Sequence, residues 1–189
     1  MSSVLVLGID PGLATFGLTV VQLTPTEEVV QAMHIKTTEK SPKKQNVKAA
    51  DDTLRRSREL SEWLEKVVGV WGDQIKAICV EAMSWPRNSA AAVKVAMSWG
   101  VLSSLSARRS WPVVMATPAE IKLAVCGVKS ASKQQVQDKL MERYPHSEEL
   151  QSFRQTTAKT KQEHGFDALG SVVACLDSEV IRLARRFAS

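Results

Sequence analysis

An α/β fold built on five strands is what this sequence predicts, and three observations carry the expectation. Residues 4–9 form an unbroken apolar run. Three strand-like segments are followed by helix, strand, helix, strand and terminal helices, which is the pattern of a sheet flanked by helices. Two predicted strands, residues 4–9 and 75–80, each end directly in an acid, Asp10 and Glu81.

The elements follow in order. Residues 4–9 show no alternation, which suits a strand covered on both faces, and Pro11 and Gly12 turn the chain behind Asp10. Residues 17–22 and 29–37 read as the next two strands, giving an antiparallel meander. Residues 38–50 are polar and basic and are expected to form a loop. A helix over 51–68 is predicted by Leu60, Trp63, Leu64, Val67 and Val68, whose spacing makes one apolar stripe. The fourth strand is 75–80, a long helix covers 88–108, and the fifth strand is 112–116. Thr117-Pro118-Ala119-Glu120 has the form of a capping box with proline at the first helical position, so a helix should run over 118–125. Ser132 with Gln135 caps another, to about Tyr144. A last helix is expected from about Gly165 to Phe187, with Leu169, Val172, Val173, Leu176 and Val180 on its apolar face. No repeat or linker divides the chain, so residues 1–189 are read as a single domain.

Composition sets bounds on function. At 189 residues, 44% apolar and 24% charged, the chain matches an ordinary soluble domain with a full core. No stretch approaches the roughly 20 apolar residues of a membrane span, and a signal-peptide pattern is missing, so no membrane partner is expected and cytoplasm is the default compartment. Cys79, Cys126 and Cys175 are widely spaced in apolar surroundings and are expected to be buried free thiols. The net charge of +5 leans toward polyanions. Lys36, Lys40, Lys43, Lys44 and Lys48 cluster in one segment, and Arg154, Lys159 and Lys161 in another. Either cluster serves equally as a solvated loop or as a nucleic-acid contact.

The acids carry more. If the first and fourth strands lie side by side in parallel, Asp10 and Glu81 emerge at one sheet edge, at the carboxyl ends where α/β folds place their sites. His164 and Asp167, spaced i, i+3 at the expected opening of the last helix, share one face. Three carboxylates in one cleft repel by roughly 4 kcal/mol per pair at about 4 Å and an effective dielectric near 20. A divalent cation relieves that, and hard oxygen ligands point to Mg²⁺ or Mn²⁺. Two ions about 4 Å apart can activate water and stabilise the leaving oxygen of a phosphodiester. The histidine either ligates the second ion or handles a proton. Singly, each residue has an ordinary role: Asp10 caps its turn, Glu81 pairs with Arg87, His164 sits on the surface, Asp167 complements a helix dipole. The joint pattern arises by chance far less often than any one of them, and it points to a metal site.

These residues resemble a known family. Gly8-Ile-Asp-Pro-Gly12 and Glu81 ending a strand are similar to the RuvC-type Holliday-junction resolvases of the RNase H-like superfamily. So are Pro118-Ala-Glu-Ile-Lys-Leu-Ala-Val-Cys-Gly127, Ala131-Ser-Lys-Gln-Gln-Val-Gln137 and His164-Gly-Phe-Asp167-Ala-Leu-Gly. The resemblance runs from about Val4 to Ala174. It implies an RNase H-like fold with a five-stranded mixed sheet whose first three strands are antiparallel. It also implies a homodimeric, Mg²⁺-dependent endonuclease, with two ions per site and Mn²⁺ able to substitute, that nicks a four-way DNA junction symmetrically. Asp10, Glu81, His164 and Asp167 would be the metal-binding and catalytic set. Lys122 and Lys133 match lysines that lie near the DNA backbone and support cleavage, Lys133 being counted with the catalytic set, and the long helix after Glu81 matches the dimer interface. An aromatic wedge often stands three residues after the glutamate; here Ser84 is there with Trp85 next to it, Pro86 and Arg87 give the loop a different shape, and Ser84, Trp85 and Arg87 are candidate DNA contacts. The basic loops expected at 38–50 and 147–163 are longer than the pattern and would either enlarge the DNA footprint or serve another partner.

Three other readings compete. A related nuclease for flaps, other branched DNA or RNA would share the chemistry and differ in substrate geometry. An actin-like ATPase or sugar kinase needs a second phosphate motif, which the chain lacks. A purely architectural junction binder has no use for clustered carboxylates, which repel phosphate without metal.

Overall fold

Hydrogen bonding joins the expected strands into one sheet in the computed structural model, which describes residues 3–83 and 88–186. The strands are β1 (Val4–Asp10), β2 (Thr15–Leu23), β3 (Glu28–Thr37), β4 (Ile75–Glu81) and β5 (Val113–Ala116), in the order β3-β2-β1-β4-β5. β1, β2 and β3 pair antiparallel, while β4 pairs parallel with both β1 and β5. This is the five-stranded mixed sheet predicted above. The helices are α1 (Ala49–Gly69), α2 (Ser89–Arg109), α3 (Pro118–Cys126), α4 (Lys133–Arg143), α5 (Glu148–Thr156), α6 (Lys159–Cys175) and α7 (Glu179–Arg186).

The pleat sends alternate side chains to opposite faces, and each face has its own core. Leu5, Leu7 and Ile9 of β1 join Leu18, Val20, Ile78 and Val80 under α1 and α2, which contribute Leu60, Leu64, Leu102 and Leu105. Val4 and Val6 join Val21, Ala77 and Cys79 on the other face, packed by Ile121, Leu140, Phe153, Phe166, Leu169 and Val172. Being buried on both faces, β1 has the unbroken apolar sequence expected of it. Both capping boxes form: Thr117 with Glu120 at 2.7 and 3.3 Å, and Ser132 with Gln135 at 2.8 and 3.2 Å.

Several expectations are corrected. Residues 147–163 are no loop: they hold α5, capped by Ser147 and anchored by buried Leu150 and Phe153, and the first turn of α6. The final helix begins at Lys159 rather than near Gly165, so His164 and Asp167 lie inside it, away from the positive end of its dipole. It also ends at Cys175, and a second helix, α7, restarts after Ser178 accepts from the Ile181 amide at 3.4 Å. Segment 38–50 contains a 3₁₀ turn, Lys43–Gln45, and the start of α1. All three cysteines are free, but Cys126 is only partly buried. Finally, α2 is long and apolar enough by length and composition to cross a membrane, with 17% of that window buried. Its Ser98, Val101, Leu102 and Leu105 nonetheless face the core.

Candidate active site

Asp10 and Glu81 meet because of register. β1 and β4 run parallel with Ile9 opposite Val80, so the next residues, Asp10 and Glu81, end adjacent strands about 4.8 Å apart. The pleat then fixes their side. Val4 and Val6 of β1, and Ala77 and Cys79 of β4, face α6, and Asp10 and Glu81 continue those two rows.

Glycine lets α6 come down onto that face. A Cβ at Gly8 would stand 2.2 Å from the Ala168 carbonyl oxygen, and one at Gly17 would stand 2.1 Å from that of His164. Gly17 is the cross-strand partner of Asp10. Backbone therefore touches backbone there, and successive turns of α6 carry His164 and Asp167 to the sheet edge. His164 Nδ1 lies 2.5 Å from Asp10 Oδ2. With the proton on Nδ1 the imidazole donates and the Asp10 carboxylate accepts.

Lys133, first residue of α4, enters from the side. Its Nζ is 2.8 Å from Glu163 Oε2 and 4.0 Å from Asp167 Oδ2. Glu163 Oε1 is in turn 4.0 Å from His164 Nε2. The sequence reading missed Glu163. Its signal was the i, i+4 spacing to Asp167, which places both on one helical face.

The electrostatics mark a site short of positive charge. Burial, then Asp10 and Asp167, hold Glu81 up at about 7, with Lys133 and Lys122 pulling the other way. Burial and Asp10 likewise raise Asp167 to about 6, against Lys133. The hydrogen bond to Asp10 raises His164 above its usual range. Carboxylates that keep protons near neutrality for want of a counter-charge are a donor set suited to a hard divalent cation. Among the described residues, no three acidic, histidine or cysteine side chains converge on one ligating point; Asp10 is turned onto His164 instead. The fit to a cation thus lies in donor chemistry. Lys122 reaches the site through its field on Glu81. Ser84, Trp85 and Arg87 lie outside the described residues.

The turn behind Asp10 is braced from both flanks. Ser98 of α2 donates to the Pro11 carbonyl at 3.3 Å, and the Thr38 hydroxyl donates to that of Leu13. Buried Arg56 holds Thr38 through Nε at 3.0 Å.

The sequence model of a family described as "Crossover junction endodeoxyribonuclease RuvC" matches residues 6–151. That range holds Asp10, Glu81, Lys122 and Lys133 and stops before His164. The RuvC endonuclease of Corynebacterium glutamicum is 31% identical over 131 residues, covering 69% of this chain and 55% of that protein. The one from Natranaerobius thermophilus is 26% identical over 133 residues, covering 70% and 76%. The chain thus spans little more than half the length of the first relative. Thermus thermophilus RuvC in complex with Holliday junction substrate has the same fold, with a TM-score of 0.67 at 20% identity over 90% of this chain and 91% of that one.

Proposed function

The chain belongs to the RuvC family of crossover junction endodeoxyribonucleases, and on that footing we propose that it is a structure-specific endonuclease resolving four-way DNA junctions by paired symmetric nicks. It would act as a homodimer, as one nuclease domain in the cytoplasm. Nucleases of this family are metal-dependent, and the ion we assign is Mg²⁺, two per site, with Mn²⁺ as substitute. The observation that carries the proposal is the meeting of Asp10, Glu81 and Asp167 on one face of one sheet edge, where two of the three are held protonated toward neutral pH.

Asp10, Glu81 and Asp167 would hold the ions, with His164 as a further ligand once it leaves Asp10. Bound there, the cations supply an activated water and charge stabilisation for the leaving oxygen. Before that, His164 holds the Asp10 carboxylate in one orientation. Lys133, restrained between Glu163 and Asp167, is within reach of a phosphate seated on the carboxylates and would offset its charge. Lys122 lends its field from α3. The dimer reading rests on α2, whose outer face bears Val93, 53% exposed, with Ala96, Gly100 and Ser103 and no charge among them.

The test is a synthetic immobile four-way junction incubated with the protein and Mg²⁺, with cuts mapped on all four strands. Paired nicks at symmetric positions are expected, with flaps and RNA duplexes cut far more slowly. Cleavage of flaps or RNA in preference to junctions, or no metal-dependent cutting, would overturn the proposal.

A further inference from the structure

The segment joining β3 to α1 carries Lys40, Lys43, Lys44 and Lys48 on a short stretch whose root is built into the protein. Thr38, 2% exposed, donates its amide to the Ala14 carbonyl at 3.1 Å and its hydroxyl to Leu13. The Ser41 amide and hydroxyl donate to Asp52 Oδ1 at 3.0 and 2.7 Å, and Arg55 donates to the Glu39 carbonyl at 2.5 Å. Beyond this root the chain makes the 3₁₀ turn Lys43–Gln45 and reverses at Asn46, in left-handed geometry at φ 49°. A lysine run that is only solvated needs no such anchorage.

Charge divides sharply between root and tip. Cations at the root are matched: Lys36 with Glu59 at 2.5 Å, Arg55 with Asp52 and Glu59 at 2.9 and 3.2 Å, Arg56 with Asp52 at 4.0 Å. Among the described residues, no carboxylate forms an ion pair with Lys40, Lys43, Lys44 or Lys48. The acids nearest in the chain, Glu39 and Asp51, are outnumbered by these four lysines.

Position supplies the partner. Asp10, Gly17 and Ile35 form one row across β1, β2 and β3, so Ile35 lies about 10 Å from Asp10 at the usual strand spacing. The segment leaves the sheet just beyond, at the edge where the carboxylates stand, and its root touches the Asp10 turn itself. A DNA strand with one phosphate at Asp10 would pass the lysines roughly 10–20 Å away, or about three to six nucleotides along at 3.4 Å each.

We infer that residues 38–48 form a basic arm that takes the phosphate backbone of a DNA duplex leaving the cleavage site on the β3 side. The inference rests on the nuclease reading above. Lysine ammonium groups act here as point charges on phosphate and carry no base readout, so the arm fixes the lie of the duplex and adds no sequence preference.

The experiment compares the full chain with a Lys40→Gln, Lys43→Gln, Lys44→Gln, Lys48→Gln variant and with its four-fold Lys→Arg counterpart. Binding to the synthetic junction is measured across a salt series. Each phosphate contact contributes about 0.9 to the slope of log affinity against log salt, so the glutamine variant should lose about two to four from that slope while the arginine variant keeps it. Affinity at low salt should fall at least about tenfold. A glutamine variant with unchanged slope overturns the arm. So does equal loss in the arginine variant, which would make the effect one of loop structure. A parent chain that neither binds nor cuts branched DNA fails the nuclease reading instead, and the two failures are distinct.

Discussion

At Asp10 one short contact decides what the site can do before metal arrives. Its Oδ2 is taken by His164 Nδ1, and the same carboxylate raises the affinity of Glu81 and Asp167 for protons. Asp10→Asn keeps the side chain's shape and removes its charge. Junction cleavage should be abolished while junction binding stays largely intact; retained cutting in single-turnover assays would exclude the assigned site. Lys133 makes a different prediction, because it touches Glu163 and Asp167 rather than ending a strand. Lys133→Ala should slow cleavage about 10²-fold or more, the scale of a lost charge-stabilising donor, and change binding only a few fold. Equal losses in both would make it an ordinary phosphate contact. At this scale the sequence was informative where chemistry and chain position coincided. Asp10 and Glu81 stood out because an acid ending an apolar strand is costly without a partner. Glu163 did not, since a glutamate on an exposed helical face is commonplace and its meaning depends on where α4 puts Lys133.

Among the elements, α6 does most to assemble the site, and it does so by backbone contact. Gly8 and Gly17 each meet a carbonyl oxygen of the helix, so an added methyl has no flexible side chain to displace. Gly17→Ala should destabilise the fold by about 1–3 kcal/mol or more, read from urea unfolding, and should depress cleavage by lifting His164 from Asp10. A variant of parental stability would show that the helix shifts freely on the sheet. The same closeness explains why the start of α6 was misread. Gly165 looks like a helix boundary in sequence, yet it sits mid-helix because the Phe153 ring packs where its Cβ would be, 2.4 Å away. α5 was illegible for a related reason: nine residues with two buried apolar positions give too little period to stand out from a polar segment. The strands, whose apolar runs are set by burial on both faces, and the two capping boxes were legible because their signals are local.

For the whole molecule, the crowded carboxylates link stability, pH and metal. Glu81 and Asp167 ionise at about 7 and 6 in the folded chain against ordinary values of 4.5 and 3.8. Between those limits the folded state keeps protons that the unfolded state has released. Metal-free stability should therefore fall as pH rises from about 4 to about 7 and stay low above that. His164, also raised, acts in the same direction above 6.5. A divalent ion binds the ionised carboxylates, so the rise in melting temperature on adding Mg²⁺ or Mn²⁺ should be larger at pH 8 than at pH 5.5. Equal shifts at both values would dissociate the ion from these groups. The glycine seats of α6 bear on how such a chain can change length. Residues added in the exposed turn between α4 and α5, at Pro145 and His146, lengthen a connection and leave the helix docked. One residue inserted between His164 and Ala168 rotates everything after it by about 100°, turning either Asp167 or the Gly8 contact away from the sheet. Drift in length should accordingly gather before the helix, with its first turns fixed in register.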